Sequence, residues 1–205
     1  MIEGLVAYEE AFKRQKEIVR EVVSGAPDTL VLCEHPAVIT WGRMSHEQNL
    51  LFSRQDLSAR GIAVIPVDRG GDVTLHAPGQ LVIYPIINLK RAKLGLRDYL
   101  KNLEQVAVDF LRDFDIVAQG DDNRRGVWVS GRKAASIGVG VSKWVTYHGM
   151  GLNVSTDLDL FRLIRPCGLD VRMTSIEALK GSAPSMTEAS KRFAQHFQKV
   201  FGWLS

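Results

Sequence analysis

Three β-rich runs follow one another almost without a break late in the chain, and they restrict the fold more than any other feature. Residues 127–129, 133–141 and 145–148 are apolar and β-branched stretches, separated only by short turn segments, the first of them Ser130-Gly131. Connections that short join antiparallel neighbours, because a parallel return needs a crossover of a dozen residues or more. Gly140 falls inside the middle run, where a glycine marks a bulge or a close backbone approach. A doubly wound parallel sheet is therefore a poor fit.

The surrounding pattern is helical. Residues 4–24 carry Leu5, Tyr8, Phe12, Val19, Val22 and Val23 at helical spacing and stop at Gly25 and Pro27. Residues 96–114 set Leu96, Leu100, Leu103, Val106, Ala107, Phe110 and Leu111 on one face. A last helix opens at Ser185 with Glu188 three residues on, and carries Phe193, Phe197, Val200 and Phe201. The same capping pattern, Ser53 with Asp56 and Thr174 with Glu177, predicts two short helices. Further strands are predicted at 29–33, 37–41, 62–67, 72–76, 80–88 and 152–154, with His35-Pro36 as a turn between the first two. The expectation is an α/β protein of the α+β type, with a mixed or antiparallel central sheet flanked by helices. No repeat, linker or low-complexity tract divides residues 1–205, so one domain is expected.

The charge balance excludes one class of partner. The 26 Lys and Arg against 23 Asp and Glu leave a formal charge of +3, with no dense basic run, so nucleic acid is not expected. No apolar stretch reaches the roughly 18 residues of a membrane span. Two distant cysteines, Cys33 and Cys167, and no signal-peptide core point to a reducing, cytoplasmic setting.

The chemistry gathers around Cys167. A free cysteine is usually a small buried hydrophobe, and Cys33, inside the run Leu30-Val31-Leu32, fits that description. Cys167 stands instead in Arg165-Pro166-Cys167-Gly168-Leu169, where a rigid proline and an open glycine present a side chain rather than bury it. A thiolate nucleophile needs a neighbour that takes its proton or stabilises its charge. Lys133 opens the small and apolar run Ala134-Ala135-Ser136-Ile137-Gly138 and would be partly desolvated there. His76 and His148 also close β-rich segments, so a Cys–His pairing stays open. The Gly70-Gly71 turn or Gly138 offers backbone amides for an oxyanion. No Cys-x-x-Cys or His-x-x-x-His spacing indicates a metal, and neither a P-loop nor a Gly-x-Gly-x-x-Gly opening indicates a nucleotide.

These segments together resemble a known family. Glu34-His35-Pro36, Trp41-Gly42-Arg43, residues 69–84, 126–153 and 166–169, in that order and spacing, are similar to the octanoyltransferases of lipoate biosynthesis, also called lipoyl(octanoyl) transferases or lipoate-protein ligase B proteins. The resemblance implies a fold like the catalytic domain of biotin and lipoate protein ligases. It implies transfer of an octanoyl group from acyl carrier protein to a lysine of lipoyl domains, those of 2-oxoacid dehydrogenases and the glycine cleavage H protein, with no cofactor. It assigns the acyl-thioester nucleophile to Cys167 and its activating partner to Lys133. It assigns substrate contacts to Arg69, Gly70, Gly71, Asp72, Val73, Thr74, Leu75 and His76, to Ser136, Ile137 and Gly138, and to His148, Gly149, Met150 and Gly151. The chain departs from the family pattern at Leu75, at Ala77 and at Met150-Gly151, where the family more commonly has Tyr, Gly, and Leu-Ala or Phe-Ala. Three rivals carry different signatures: an ATP-dependent ligase of the same fold, a Cys–His hydrolase, and a non-catalytic acyl-binding module.

Overall fold

The computed structural model describes residues 1–121, 123–165 and 171–202. Its largest element is a seven-stranded sheet in the order β1-β2-β6-β10-β9-β8-β7. The strands are β1 (Ile2–Leu5), β2 (Thr29–Glu34), β6 (Gln80–Ile86), β7 (Gln119–Gly120), β8 (Gly126–Val129), β9 (Arg132–Ser142) and β10 (Val145–Asn153). Among its described strand pairs β1–β2 is parallel and the others are antiparallel, so the sheet is mixed. A second sheet pairs β4 (Ala63–Pro66) with β3 (Val38–Trp41) in parallel and β3 with β5 (Thr74–His76) antiparallel. This is the expected mixed sheet flanked by helices.

Three apolar clusters hold these layers. On one face of the large sheet, α3 (Leu96–Arg112) and α5 (Met186–Phe201) pack together through Phe110, Phe193 and Phe197 and cover Leu81, Ile83, Met150 and Leu152. Aromatic pairs of this kind add to plain area burial. On the other face α1 (Tyr8–Val23) lays Ala11, Ile18, Val19 and Val22 against Val31, Cys33, Val82 and Tyr84. The third cluster fills the small sheet with Ile39, Leu57 and Leu75.

The capping signals hold where nothing stronger competes. Ser53 accepts from the Asp56 amide at 3.1 Å and opens α2 (Arg54–Ala59); Ser185 accepts from the Glu188 amide at 3.2 Å and opens α5. At Thr174 the expectation shifts by one residue. Ser175 is the cap of α4 (Ile176–Lys180), because the Thr174 amide donates to the Lys133 carbonyl, next to the bridge that Met173 makes with Lys133 of β9. The helix expected from residue 4 begins at Tyr8. Residues 2–5 form β1 on the open edge of β2, where backbone pairing overrides local helical spacing. The two strands expected at 145–148 and 152–154 are one strand running through Gly149-Met150-Gly151. Two further stretches form short 3-10 helices, Glu47–Asn49 and Leu158–Leu163.

Glycine in the middle of β10 is required by contact. A Cβ on Gly149 would stand 2.1 Å from the Ile83 carbonyl oxygen and 2.8 Å from Pro85 Cδ. Gly140 marks the expected close approach, with the Tyr147 ring lying across it, 2.4 Å from where a Cβ would be. Gly149→Ala should therefore cost about 3 kcal/mol, since the clash is with strand backbone rather than a movable side chain. Urea unfolding measures it, and an unchanged midpoint would contradict this packing.

Candidate active site

A cavity of about 290 Å³ opens between β9 and β10 of the large sheet, the 69–76 segment and the start of α1. Its wall gathers Arg69, Gly71, Asp72, Val73, Thr74 and His76 from one segment, Lys133, Ser136, Ile137 and Gly138 from β9, and His148, Gly149, Met150 and Gly151 from β10. Residues more than 80 apart in sequence thus share one wall. The β9–β10 register makes this possible by setting Gly138 against Gly149, Ile137 against Met150 and Ser136 against Gly151. Ile137, Met150, Val73 and Trp128 give the cavity its apolar lining.

Two of the expected contact residues lie elsewhere. Leu75 is buried in the small-sheet core, because alternation along β5 turns it away from the cavity that Thr74 and His76 face. Gly70 is off the wall, and its amide donates to the Val139 carbonyl at 2.8 Å, so it is not the expected oxyanion donor. The same bond shows that Val139 faces away from β10. Antiparallel alternation then points the Gly138 amide into the β10 ladder and the Ile137 amide away from it.

Arg69 acts as a staple. Its guanidinium donates to the Thr40 carbonyl and hydroxyl and to the carbonyls of Gly70 and Asp72, all between 2.7 and 3.2 Å. Those bonds fold the 69–72 turn against β3. Asp72 continues the connection outward: its carboxylate accepts from Asn49 Nδ2 at 2.6 Å, and the Asn49 carbonyl accepts from the Arg165 amide at 2.8 Å.

Lys133 is 4% exposed. Its amide donates to the Arg172 carbonyl at 2.8 Å. Its Nζ lies 5.2 Å from the centre of the Trp128 ring. Cys167 lies outside the described residues. The described residues flanking its segment are tied to the same wall, Arg165 through Asn49 and Arg172 and Thr174 through Lys133. Cys33 is buried in the core beside α1, as its sequence setting implied.

Aromatic and imidazole rings form the other end of the cavity. Tyr8 and Tyr84, which read in sequence as ordinary helix and strand core, line it beside His76 and His148. His148 has φ +56°. This left-handed conformation is costly for a residue with a side chain. Adjacent strand residues normally face opposite sides, yet Tyr147 and His148 both bond Asp68, at 2.7 and 3.0 Å. Lys16 adds a third donor to Asp68 at 2.8 Å. Burial alone would raise the Asp68 carboxyl, but the Lys16, His148 and Tyr147 donors outweigh it and hold the group well below the usual carboxylate range. Burial lowers His148 to about 4 despite the Asp68 carboxylate. Burial, with His35 nearby, lowers His76 to about 3. His76 donates from Nδ1 to Gln80 Oε1 at 2.7 Å; His35 donates from Nδ1 to the Val6 carbonyl and accepts from Tyr84 at Nε2, both at 2.7 Å. These imidazoles are neutral at physiological pH. Among the described residues, no three His, Cys, Asp or Glu side chains gather as a metal-holding group, and no helix is long and apolar enough to cross a membrane.

Neutral burial makes the fold acid-sensitive. An unfolded histidine titrates near 6.5, whereas folded His148 and His76 titrate near 4 and 3. Between pH 6.5 and 4 the unfolded chain binds more protons, so stability falls as pH falls. Each histidine contributes up to about 1.4 kcal/mol per pH unit in that window. Urea midpoints of wild type and His148→Gln between pH 4.5 and 7 test this. The variant should show the flatter dependence, and equal slopes would contradict neutral burial of His148.

Comparison with known proteins places the chain in a family. Residues 7–198 match the family model of the lipoyl protein ligase A/B catalytic domain. The chain is 44% identical to an octanoyltransferase of Syntrophobacter fumaroxidans over 97% of its own length and 88% of the relative's. It is 47% identical to an octanoyltransferase of Solibacter usitatus over 97% and 90%. Among solved structures, a lipoate-protein ligase A bound with ATP shares the fold at a TM-score of 0.79 and 15% identity, covering 98% of this chain and 86% of that one. A biotin protein ligase from Aquifex aeolicus in complex with biotin and ATP shares it at 0.54 and 16% identity, covering 80% and 70%. Full-length likeness at this level makes the chain a member of the lipoyl protein ligase A/B catalytic domain family and, within it, of the octanoyltransferases.

Proposed function

We propose that this acyltransferase performs its octanoyl transfer in two covalent steps, through a thioester on Cys167 with Lys133 as the proton carrier. The donor is octanoyl-acyl carrier protein, and the acceptors are lysines of lipoyl domains, those of 2-oxoacid dehydrogenases and the glycine cleavage H protein. The observation that carries this reading is the buried Lys133 on the wall of an apolar cavity, with the flanks of the Cys167 segment tied to that wall.

In the first step the Cys167 thiolate attacks the carbonyl carbon of the octanoyl thioester. The tetrahedral intermediate collapses with cleavage of the bond to the carrier's sulfur, and the Lys133 ammonium gives its proton to that leaving thiolate. In the second step the neutral acceptor amine attacks the new thioester. Lys133, now neutral, takes the amine's proton, and Cys167 leaves as thiolate. The ammonium–thiolate pair is thereby restored. The oxyanion is served by the Ile137 amide, on the side of β9 where the β8 pairing has ended at Ser136. Ile137 and Met150 receive the alkyl chain, at about 0.8 kcal/mol per buried methylene.

Support for Lys133 over His148 comes from the described chain after Cys167, where Arg172 and Thr174 bond the Lys133 main chain. His148 is registered with Val139, six residues along β9 from Lys133, or roughly 20 Å of strand.

Intact-protein mass after mixing with octanoyl-acyl carrier protein tests the reading. Wild type and Cys33→Ala should gain a hydroxylamine-labile octanoyl group, and Cys167→Ser should not. ATP-dependent modification of a lipoyl domain without an enzyme adduct would overturn it, as would release of free octanoate as the main product.

A further inference from the structure

Lys133 owes its place to an irregularity in the β8–β9 pairing. The register runs Gly126↔Ser136 and Val127↔Ala135, then shifts to Trp128↔Lys133 and Val129↔Arg132, which leaves Ala134 without a partner across the strand. One extra residue in a strand re-aims the side chains beyond it. Without it Trp128 would face Ala134, and Lys133 would project on the opposite side. With it, Lys133 and Trp128 share a face as a direct cross-strand pair.

The lysine is then held at each level. Its main chain bonds Arg172 and Thr174. Its stem passes over Gly126, where a Cβ would stand 2.6 Å from Lys133 Cε and 2.3 Å from the Ala135 carbonyl oxygen, on a backbone with φ +134°. Its Nζ sits over the Trp128 ring at 5.2 Å from the centre, within cation–π range. The ring is itself fixed. Trp128 Nε1 donates to the Arg124 carbonyl at 2.9 Å, and the Arg124 guanidinium lies 4.3 Å from the ring centre. Trp128 is 3% exposed.

We propose that Trp128 is a positioning residue for the transfer, holding the Lys133 ammonium at the point on the cavity wall from which it exchanges protons. This rests on the role given to Lys133 above. Because Trp128 also lines the cavity, the test must separate support of Lys133 from contact with the acyl chain.

A mutant cycle on single-turnover octanoyl transfer does so. Trp128→Leu should lose roughly tenfold or more in rate, with little change in the concentration of octanoyl-acyl carrier protein needed for half-maximal rate. Trp128→Phe keeps an aromatic face and should lose only a few-fold. In a Lys133→Ala background neither substitution should slow the reaction further, since Trp128 acts through the lysine. Losses that multiply with that of Lys133→Ala would show that Trp128 serves the acyl chain instead, and would overturn the proposal. Wild-type rates in Trp128→Leu would overturn it too. Should Trp128→Leu fail to fold, the Trp128→Phe cycle decides on the same criterion. Full activity of Lys133→Ala would overturn the role of the lysine itself, a result distinct from a Trp128 effect that is independent of it.

Discussion

The β9–β10 ladder is the constraint on which the rest of the site depends. Eight residue pairs run in unbroken register from Ser142↔Val145 to Ala135↔Leu152. The hairpin closes through Lys143 and Trp144, both at positive φ. Two-residue turns of that hand match the natural strand twist, usually with Asn or Gly in place. A slip by one residue would reverse which side chains face the cavity along the whole strand. It would separate Ile137 from Met150, expose the apolar floor and break the contact of the Tyr147 ring with Gly140.

Charge burial is handled differently by three groups on the cavity wall. Arg69 is buried but surrounded by carbonyl and hydroxyl acceptors, so its desolvation is offset by hydrogen bonds. Lys133 is buried over an aromatic face. Near Arg69 the imidazoles of His76 and His148 remain neutral, and the negative charge sits on Asp68, whose side chain is 41% exposed. The left-handed backbone at His148 is held by bonds from its amide to Gln15 and from its ring to Asp68.

Much of this is legible in the amino-acid order alone. Ser53 and Ser185 announced their helices, because a cap is a local interaction among four residues. The segments 69–76, 133–138 and 148–151 announced the cavity, through glycines and polar groups interrupting apolar runs. The misread boundaries share one cause. Residues 2–5 and Thr174 take their conformation from a neighbouring strand that is remote in sequence, and no local pattern encodes that pairing. Leu75 looked like a site residue by its company, but β alternation places it in the core.

The sequence by itself determined most of the order of elements, the mixed sheet, the family and the segments that line the cavity, because periodicity, turns and motifs are local properties. The tertiary structure alone decided which of those residues meet. Tyr8 and Tyr84 joined the cavity only when α1 and β6 closed on it. Gly70 left it when its amide found Val139. Trp128 came to face Lys133 through a one-residue shift between strands. A register shift is a relation between two backbones, fixed by their packing together, and neither strand's own sequence specifies it.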